Sequence, residues 1–249
     1  MNQQHLLLDI EGTTCPVSFV SDILFPFAKQ ELTSYIKKHW NKSTENKAIQ
    51  EATAEWKNDQ SPESSRLKKQ IDEQQINEID GLIQYLKHLI SIDKKSTALK
   101  DLQGKIWEYG YMNGEIKSQL FPETAQCLRR WHEQGWALSV YSSGSIQAQQ
   151  LLYRHSPVGN LENLFSHWFD TRTGPKKSTD SYTIIAKHLH IAPDNIWFVS
   201  DNGAECDAAR SAGMQTLFSL RDGNPDRNPR DHMVIESLRE ASTHLAAEQ

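Results

Sequence analysis

The chain has 249 residues, enough for a core domain plus a sizeable insertion. Charged residues make up 24% and hydrophobic residues 37%, an ordinary soluble composition, and no apolar run approaches the ~20 residues of a membrane-spanning helix. The net charge of −5, with no basic block, leaves no nucleic-acid footprint. Cys15, Cys127 and Cys206 are sparse and far apart, which fits a reducing cytoplasm better than a disulfide framework. The N-terminus runs almost directly into a strand and has no signal-peptide layout.

The apolar run Leu6-Leu7-Leu8 reads as a short buried strand. Asp9-Ile10-Glu11-Gly12-Thr13-Thr14 follows it, and Gly-Thr-Thr is poorly suited to extend a core strand. Two carboxylates thus emerge at the C-terminal end of a strand, where open α/β sheets bind ligands. On an extended backbone Asp9 and Glu11 point the same way. Like charges so placed repel unless a cation or phosphoryl chemistry requires them.

From about Ser18 to Asn113 the pattern is helical. Pro26 suits a first turn, and Ala28, Leu32, Tyr35 and Ile36 form an apolar stripe. Residues 46–80 are strongly polar, with a thin stripe of Leu67, Ile71, Ile76 and Ile79. Leu82, Ile83, Leu86, Leu89 and Ile90 give a better face, and Ser96 is placed to cap a further helix through Leu99, Leu102, Ile106 and Trp107.

From Phe121 onward helices and strands alternate. Pro122 opens a helix that Gly135 closes. Residues 136–141 form a strand, and a helix follows through Leu151 and Leu152. A third strand lies near Trp168-Phe169, and residues 180–190 are helical. Ile196-Trp197-Phe198-Val199 is a buried strand, and Thr216-Leu217-Phe218 is the last. This alternation predicts an α/β fold with a doubly wound, Rossmann-like parallel sheet. Because the helical block follows the first strand, it reads as an all-helical cap of residues 18–116, inserted into a discontinuous core of residues 1–17 and 117–249.

Polar residues recur at successive strand ends: Asp9 and Glu11, Ser142-Ser143-Gly144-Ser145, Gly174-Pro175-Lys176-Lys177, then Asp201 with Glu205 and Asp207 close behind. Taken singly, Ser-Ser-Gly-Ser is a common helix cap, the two lysines suit a solvated loop, and Asp201-Asn202-Gly203 suits a turn. Their order at consecutive strand ends fits a phosphoryl-transfer site. Asp9 is the candidate nucleophile. Asp201 helps hold Mg²⁺, which favours a few carboxylates with water and phosphate. Ser142 or Ser143, at a helix start, binds phosphate oxygens. Lys176 neutralises phosphoryl charge. Glu11 is placed to act as general acid and then general base. The ten histidines show no metal-ligand spacing.

These four elements, in this order, resemble the haloacid dehalogenase superfamily of phosphohydrolases. Leu7 to Thr14, Phe19 to Pro26, Tyr141 to Ser145, Lys95 to Lys100 and Leu102-Gln103-Gly104 resemble its enolase-phosphatases of methionine salvage. The likeness covers nearly the whole chain, apart from about 41–75 and the tail after about 225. The superfamily usually has Asp two residues after the nucleophile; Glu11 departs from that and agrees with the enolase-phosphatases. The resemblance implies one Mg²⁺ per chain near Asp9, Glu11 and Asp201, and substrate contacts at Ser142, Ser143 and Lys176. It implies a small phosphorylated substrate, 2,3-diketo-5-methylthiopentyl-1-phosphate, enolised and then hydrolysed, and a monomer with no membrane or nucleic-acid partner. Glu205 is expected behind the site, orienting Lys176 or a metal-bound water, and Asp207 on the solvent side of its helix. Three alternatives stand beside this reading: a metal-free hydrolytic dehalogenase, a phosphatase for another small phosphoester, and a catalytically silent binding module.

Overall fold

The computed structural model describes residues 4–42, 46–92, 94 and 96–246. Lys95, which carries part of the resemblance, lies outside the described residues.

Short runs of apolar residues build one six-stranded sheet: β1 (His5–Leu8), β2 (Ala137–Tyr141), β3 (Phe165–Phe169), β4 (Ile196–Ser200), β5 (Gln215–Ser219) and β6 (Met233–Ile235). The order is β3-β2-β1-β4-β5-β6, and every pairing is parallel. The sheet is helix-covered on both faces, so its central strands are apolar on both sides rather than alternating. Leu6, Leu7 and Leu8 are fully buried, each contributing roughly 1.5–3 kcal/mol of hydrophobic stabilisation. On one face Leu7, Tyr141, Phe198 and Phe218 pack with Tyr182, Ile185 and Cys206 from the covering helices. The strand order reverses between β1 and β2 on one side and β4 on the other, and ligands bind at such switch points.

The structure adds a strand beyond Thr216-Leu217-Phe218. β6 is three residues long, and its Met233 and Val234 are exposed, so it carries no buried-strand signature. The helix expected to open at Pro122 begins at Thr124 and ends at Glu133, with Gly135 at φ +87° closing it.

The chain divides into two compact units, residues 1–21 with 117–249 and residues 22–116. The first boundary thus falls between Ser21 and Asp22 rather than after residue 17. The short helix Val17–Phe19, with its fully buried Phe19, belongs to the first unit. The second unit is helical: Phe25–His39, Lys47–Asn58, Pro62–Asp72, Glu78–Ser91 and Thr97–Met112. Asn46, Ser61, Asn77 and Ser96 cap the last four, each side chain accepting from a backbone N–H in the first turn. Ile49, Ala52, Trp56, Leu67, Leu82, Leu86, Leu102 and Ile106 form its core. The polar stretch 46–80 folds because Ile49, Ala52 and Trp56 supply the face that its later half lacks. Ile76, expected in a helical stripe, sits in the turn between two helices.

Candidate active site

The site lies in the first unit, at the C-terminal ends of β1, β2 and β4 and in the loops that follow β3 and β5. Asp9 extends the β1–β4 pairing by one bond, its N–H donating to Val199 O at 2.9 Å. The backbone then turns. Ile10 O accepts from the N–H groups of Thr13, Thr14 and Cys15, and Gly12 N–H donates to Cys15 O at 2.8 Å. The extended geometry expected for Asp9-Ile10-Glu11 is therefore replaced by a tight loop. Gly12 has φ +69°, a left-handed conformation that suits glycine. A Cβ there would stand 2.3 Å from Asp201 Oδ2 and 2.7 Å from Asn224 Oδ1. Only glycine lets the β1 loop approach the Asp201 carboxylate this closely.

Asp9 is buried and its carboxylate is fully engaged. Oδ1 accepts from Ile10 N–H at 2.8 Å and lies 2.7 Å from Lys176 Nζ. Oδ2 is 3.2 Å from Ser200 Oγ. Lys176 Nζ is also 2.7 Å from Glu205 Oε2, which in turn is 2.9 Å from Ser200 Oγ. Asp9, Lys176, Glu205 and Ser200 thus close a ring of polar contacts. Burial alone would lower the Lys176 ammonium, but Asp9 and Glu205 overcome it and hold the group well above its usual value. It is a fixed positive charge between two carboxylates. The loop bearing it is pinned from three sides: Tyr141 OH donates to Gly174 O, Ser181 Oγ to Pro175 O and Tyr182 OH to Lys176 O.

Glu11 and Asp201 complete the acidic cluster. Burial and the neighbouring Asp9 push Glu11 up to about 7. Burial, then Asp9, push Asp201 up to about 8. Among the described residues no three His, Cys, Asp or Glu side chains form a ready-made metal cage. Mg²⁺ does not need one, since it keeps several waters and takes one or two carboxylates with substrate phosphate. The mutual repulsion of Asp9, Glu11 and Asp201 in a buried setting fits that use: a divalent cation is the charge this donor set lacks.

The serine loop follows β2. Ser142 is buried, its N–H donates to Phe169 O, and Ser145 caps the helix Ile146–Arg154 by accepting from Ala148 N–H. Ser143 precedes that helix start on the exposed side. Gln149 braces the loop from within, its Nε2 donating to Gly144 O at 2.8 Å and Phe169 O at 2.9 Å.

Asp207 does not simply face solvent. It binds Arg230, Arg210 and His232, and His232 bridges it to Thr216. This array ties the helix Gly203–Ser211 to the segment before β6. Sequence reasoning missed Ser200, Gln149 and Asn224, because each meets the site through a partner distant in sequence, Asp9, Phe169 and Gly12 respectively, and no spacing marks them.

A family model for the haloacid dehalogenase-like hydrolases matches residues 4–213, and the chain belongs to that family. Among curated proteins it is 73% identical to the enolase-phosphatase E1 of Synechococcus sp. (strain CC9605), over the full length of both chains. It is 57% identical to the enolase-phosphatase E1 of Parasynechococcus marenigrum (strain WH8102), over 98% of this chain and all of that one. Within the hydrolases its family is thus the enolase-phosphatases. Among solved structures, the UTR4 protein of Saccharomyces cerevisiae shares 29% identity over 95% of this chain and 98% of that chain, with a TM-score of 0.73. The L-2-haloacid dehalogenase RSc1362 shares the fold at a TM-score of 0.52 and 16% identity.

Proposed function

We propose that this protein is the enolase-phosphatase of methionine salvage. It enolises 2,3-diketo-5-methylthiopentyl-1-phosphate and then hydrolyses the ester to 1,2-dihydroxy-3-keto-5-methylthiopentene and phosphate. The observation that carries this reading is the Asp9 carboxylate, buried and held 2.7 Å from Lys176 Nζ beside Glu11 and Asp201. Full-length relatives named as enolase-phosphatases support the substrate class.

Asp9, Glu11 and Asp201 would hold Mg²⁺, which would polarise phosphoryl and carbonyl oxygens. In the first stage a carboxylate takes and keeps a proton from the carbon bearing the phosphate ester, and the neighbouring carbonyl oxygen gains one from solvent. Glu11 is assigned that proton. In the second stage an Asp9 oxygen attacks phosphorus, the bond to the ester oxygen breaks, and Glu11 protonates the departing oxygen. Lys176 neutralises charge on the phosphoryl group, and Ser142 and Ser143 with adjacent backbone N–H groups hold its oxygens. Glu11, now a base, takes a proton from water, and that water displaces the phosphoryl group from Asp9. Glu205 keeps Lys176 aimed at Asp9.

The three cysteines are free and buried, which supports a cytoplasmic setting, and no helix among the described residues is long and apolar enough to cross a membrane. The family pattern supports a monomer. The test is phosphate release from the diketone phosphate with and without EDTA. Mg²⁺-restorable release is expected. Full activity in verified metal-free protein would favour dehalogenase-like chemistry, and no release would favour a different phosphoester.

A further inference from the structure

Asn224, in the loop after β5, reaches the β1 loop over the C-terminal ends of the strands. Its Nδ2 donates to Gly12 O at 3.0 Å and to Ser219 O at 2.9 Å. Both partners are carbonyls, so the amide cannot be reversed without setting oxygen against oxygen. The orientation of Oδ1 is therefore fixed, and Oδ1 is buried with no donor among the described residues. The residue itself is 6% exposed. Asn224 Oδ1 and Asp201 Oδ2 crowd the same point beside the Gly12 Cα, 2.7 Å and 2.3 Å from where a Cβ would stand. An orphaned buried acceptor costs free energy, and a native structure keeps one where something else supplies the donor. Among the described residues no donor meets Oδ1: the nearby Asn224 Nδ2 and Ser219 Oγ both donate to Gly12 O, and Asp201 presents a carboxylate. Hydrated Mg²⁺ carries what the corner lacks, water protons that satisfy acceptors around the ion.

We propose that Asn224 is a positioning residue for the Mg²⁺ site: its Oδ1 accepts a hydrogen bond from a water that the hydrated cation holds beside Asp201. This rests on the Mg²⁺ reading of the site. The same side chain anchors Gly12 through Nδ2, so it fixes the β1 loop and the cation's water shell together. Sequence position hides this role, because Asn224 lies outside every strand-end motif.

Two measurements test it. The first is a crystal structure of the full-length protein grown with Mg²⁺. A water that touches both the ion and Asn224 Oδ1 is expected; bound Mg²⁺ with Oδ1 still lacking a water partner overturns the proposal. The second is Mg²⁺ titration by calorimetry without substrate, with melting temperatures of the metal-free proteins. Asn224→Ala is expected to weaken Mg²⁺ binding about 10–100-fold, as for other groups that orient a metal's ligands. Ser219→Ala removes the other side-chain bond to Gly12 O, a 2.8 Å contact from Ser219 Oγ, yet keeps the Asn224 acceptor, and its affinity is expected to stay near wild type. Wild-type affinity in Asn224→Ala, or equal weakening in Ser219→Ala, overturns the proposal in favour of loop anchoring alone. Should Asn224→Ala fail to fold, the crystal structure decides. Failure of the wild type to bind Mg²⁺ at all would instead overturn the cofactor reading, which separates the two.

Discussion

Lys176 Nζ stands 2.7 Å from Asp9 Oδ1, and both side chains are about nine-tenths buried. Asp9, the proposed nucleophile, is therefore held by a buried ion pair, and Glu205 shares the same ammonium at 2.7 Å. Removing one member of a buried pair leaves an uncompensated charge and costs about 3–5 kcal/mol. Lys176→Met is expected to lose stability of that order in denaturant titration, together with turnover. Lys176→Met combined with Glu205→Gln should recover part of the stability and none of the turnover. Equal stability of Lys176→Met and wild type would show that the pair is not closed in solution.

Gly12→Ala tests the close approach of the β1 loop to Asp201. The new methyl would meet Asp201 Oδ2 at 2.3 Å and Cγ at 2.6 Å, so the carboxylate must move. The left-handed backbone adds about 1–2 kcal/mol of strain. A displacement of about 1 Å at a reacting centre costs roughly 100-fold in rate. Steady-state kinetics should show a loss of at least that order, with the protein still folded by circular dichroism. Wild-type turnover would mean that Asp201 is not held where the structure has it.

Away from the site, Glu123 Oε1 lies 2.7 Å from Arg221 and also accepts from Ser237 Oγ and Leu238 N–H. Burial opposes the charged form of Glu123, but hydrogen bonds from its own backbone and from Arg221, with the Arg221 charge, hold its carboxyl below the usual range. A depressed folded-state value means stability that is present above the unfolded carboxylate range and is lost as pH falls through the folded value. Glu123→Gln is expected to melt lower than wild type at pH 7. The gap should narrow as pH falls below ~4. A gap that stays constant across that window would remove Glu123 from the acid response.

Much of the fold was legible because β1, β2 and β4 are apolar runs ending in candidate site residues, and Thr216-Leu217-Phe218 marks β5. β6 was not, since a three-residue edge strand with exposed Met233 and Val234 has no burial pattern to read. Asp9, Glu11, Lys176 and Asp201 stood out because strand ends concentrate chemistry. The turn at Ile10 did not, because it depends on one carbonyl accepting three N–H groups. Asn224 was invisible for a similar reason: it meets Gly12 O from 212 residues away, and such a pairing leaves no local trace. Glu205 was placed near the site by its position one helical turn after Asp201, but its shared contact with Ser200 and Lys176 needed coordinates.

Glu11→Gln separates the two chemical stages. The amide cannot take up a proton at working pH. Loss of both phosphate release and solvent-deuterium incorporation, followed by NMR at saturating Mg²⁺, is expected if Glu11 serves both. Mg²⁺ affinity must be measured alongside, because a weakened metal site would mimic this result. Exchange at the wild-type rate with hydrolysis lost would confine Glu11 to the phosphatase stage.

The most direct measurement concerns Asp9 itself. Protein quenched with acid during turnover of the diketone phosphate, then reduced with borohydride, converts an aspartyl-phosphate to homoserine, which peptide mass spectrometry locates. Homoserine at position 9 in the wild type is expected, with none in Asp9→Asn and turnover there down by several orders of magnitude. Phosphate release at full rate with residue 9 unmodified at every time point, or substantial hydrolysis by Asp9→Asn, would contradict covalent catalysis and point to direct attack by water.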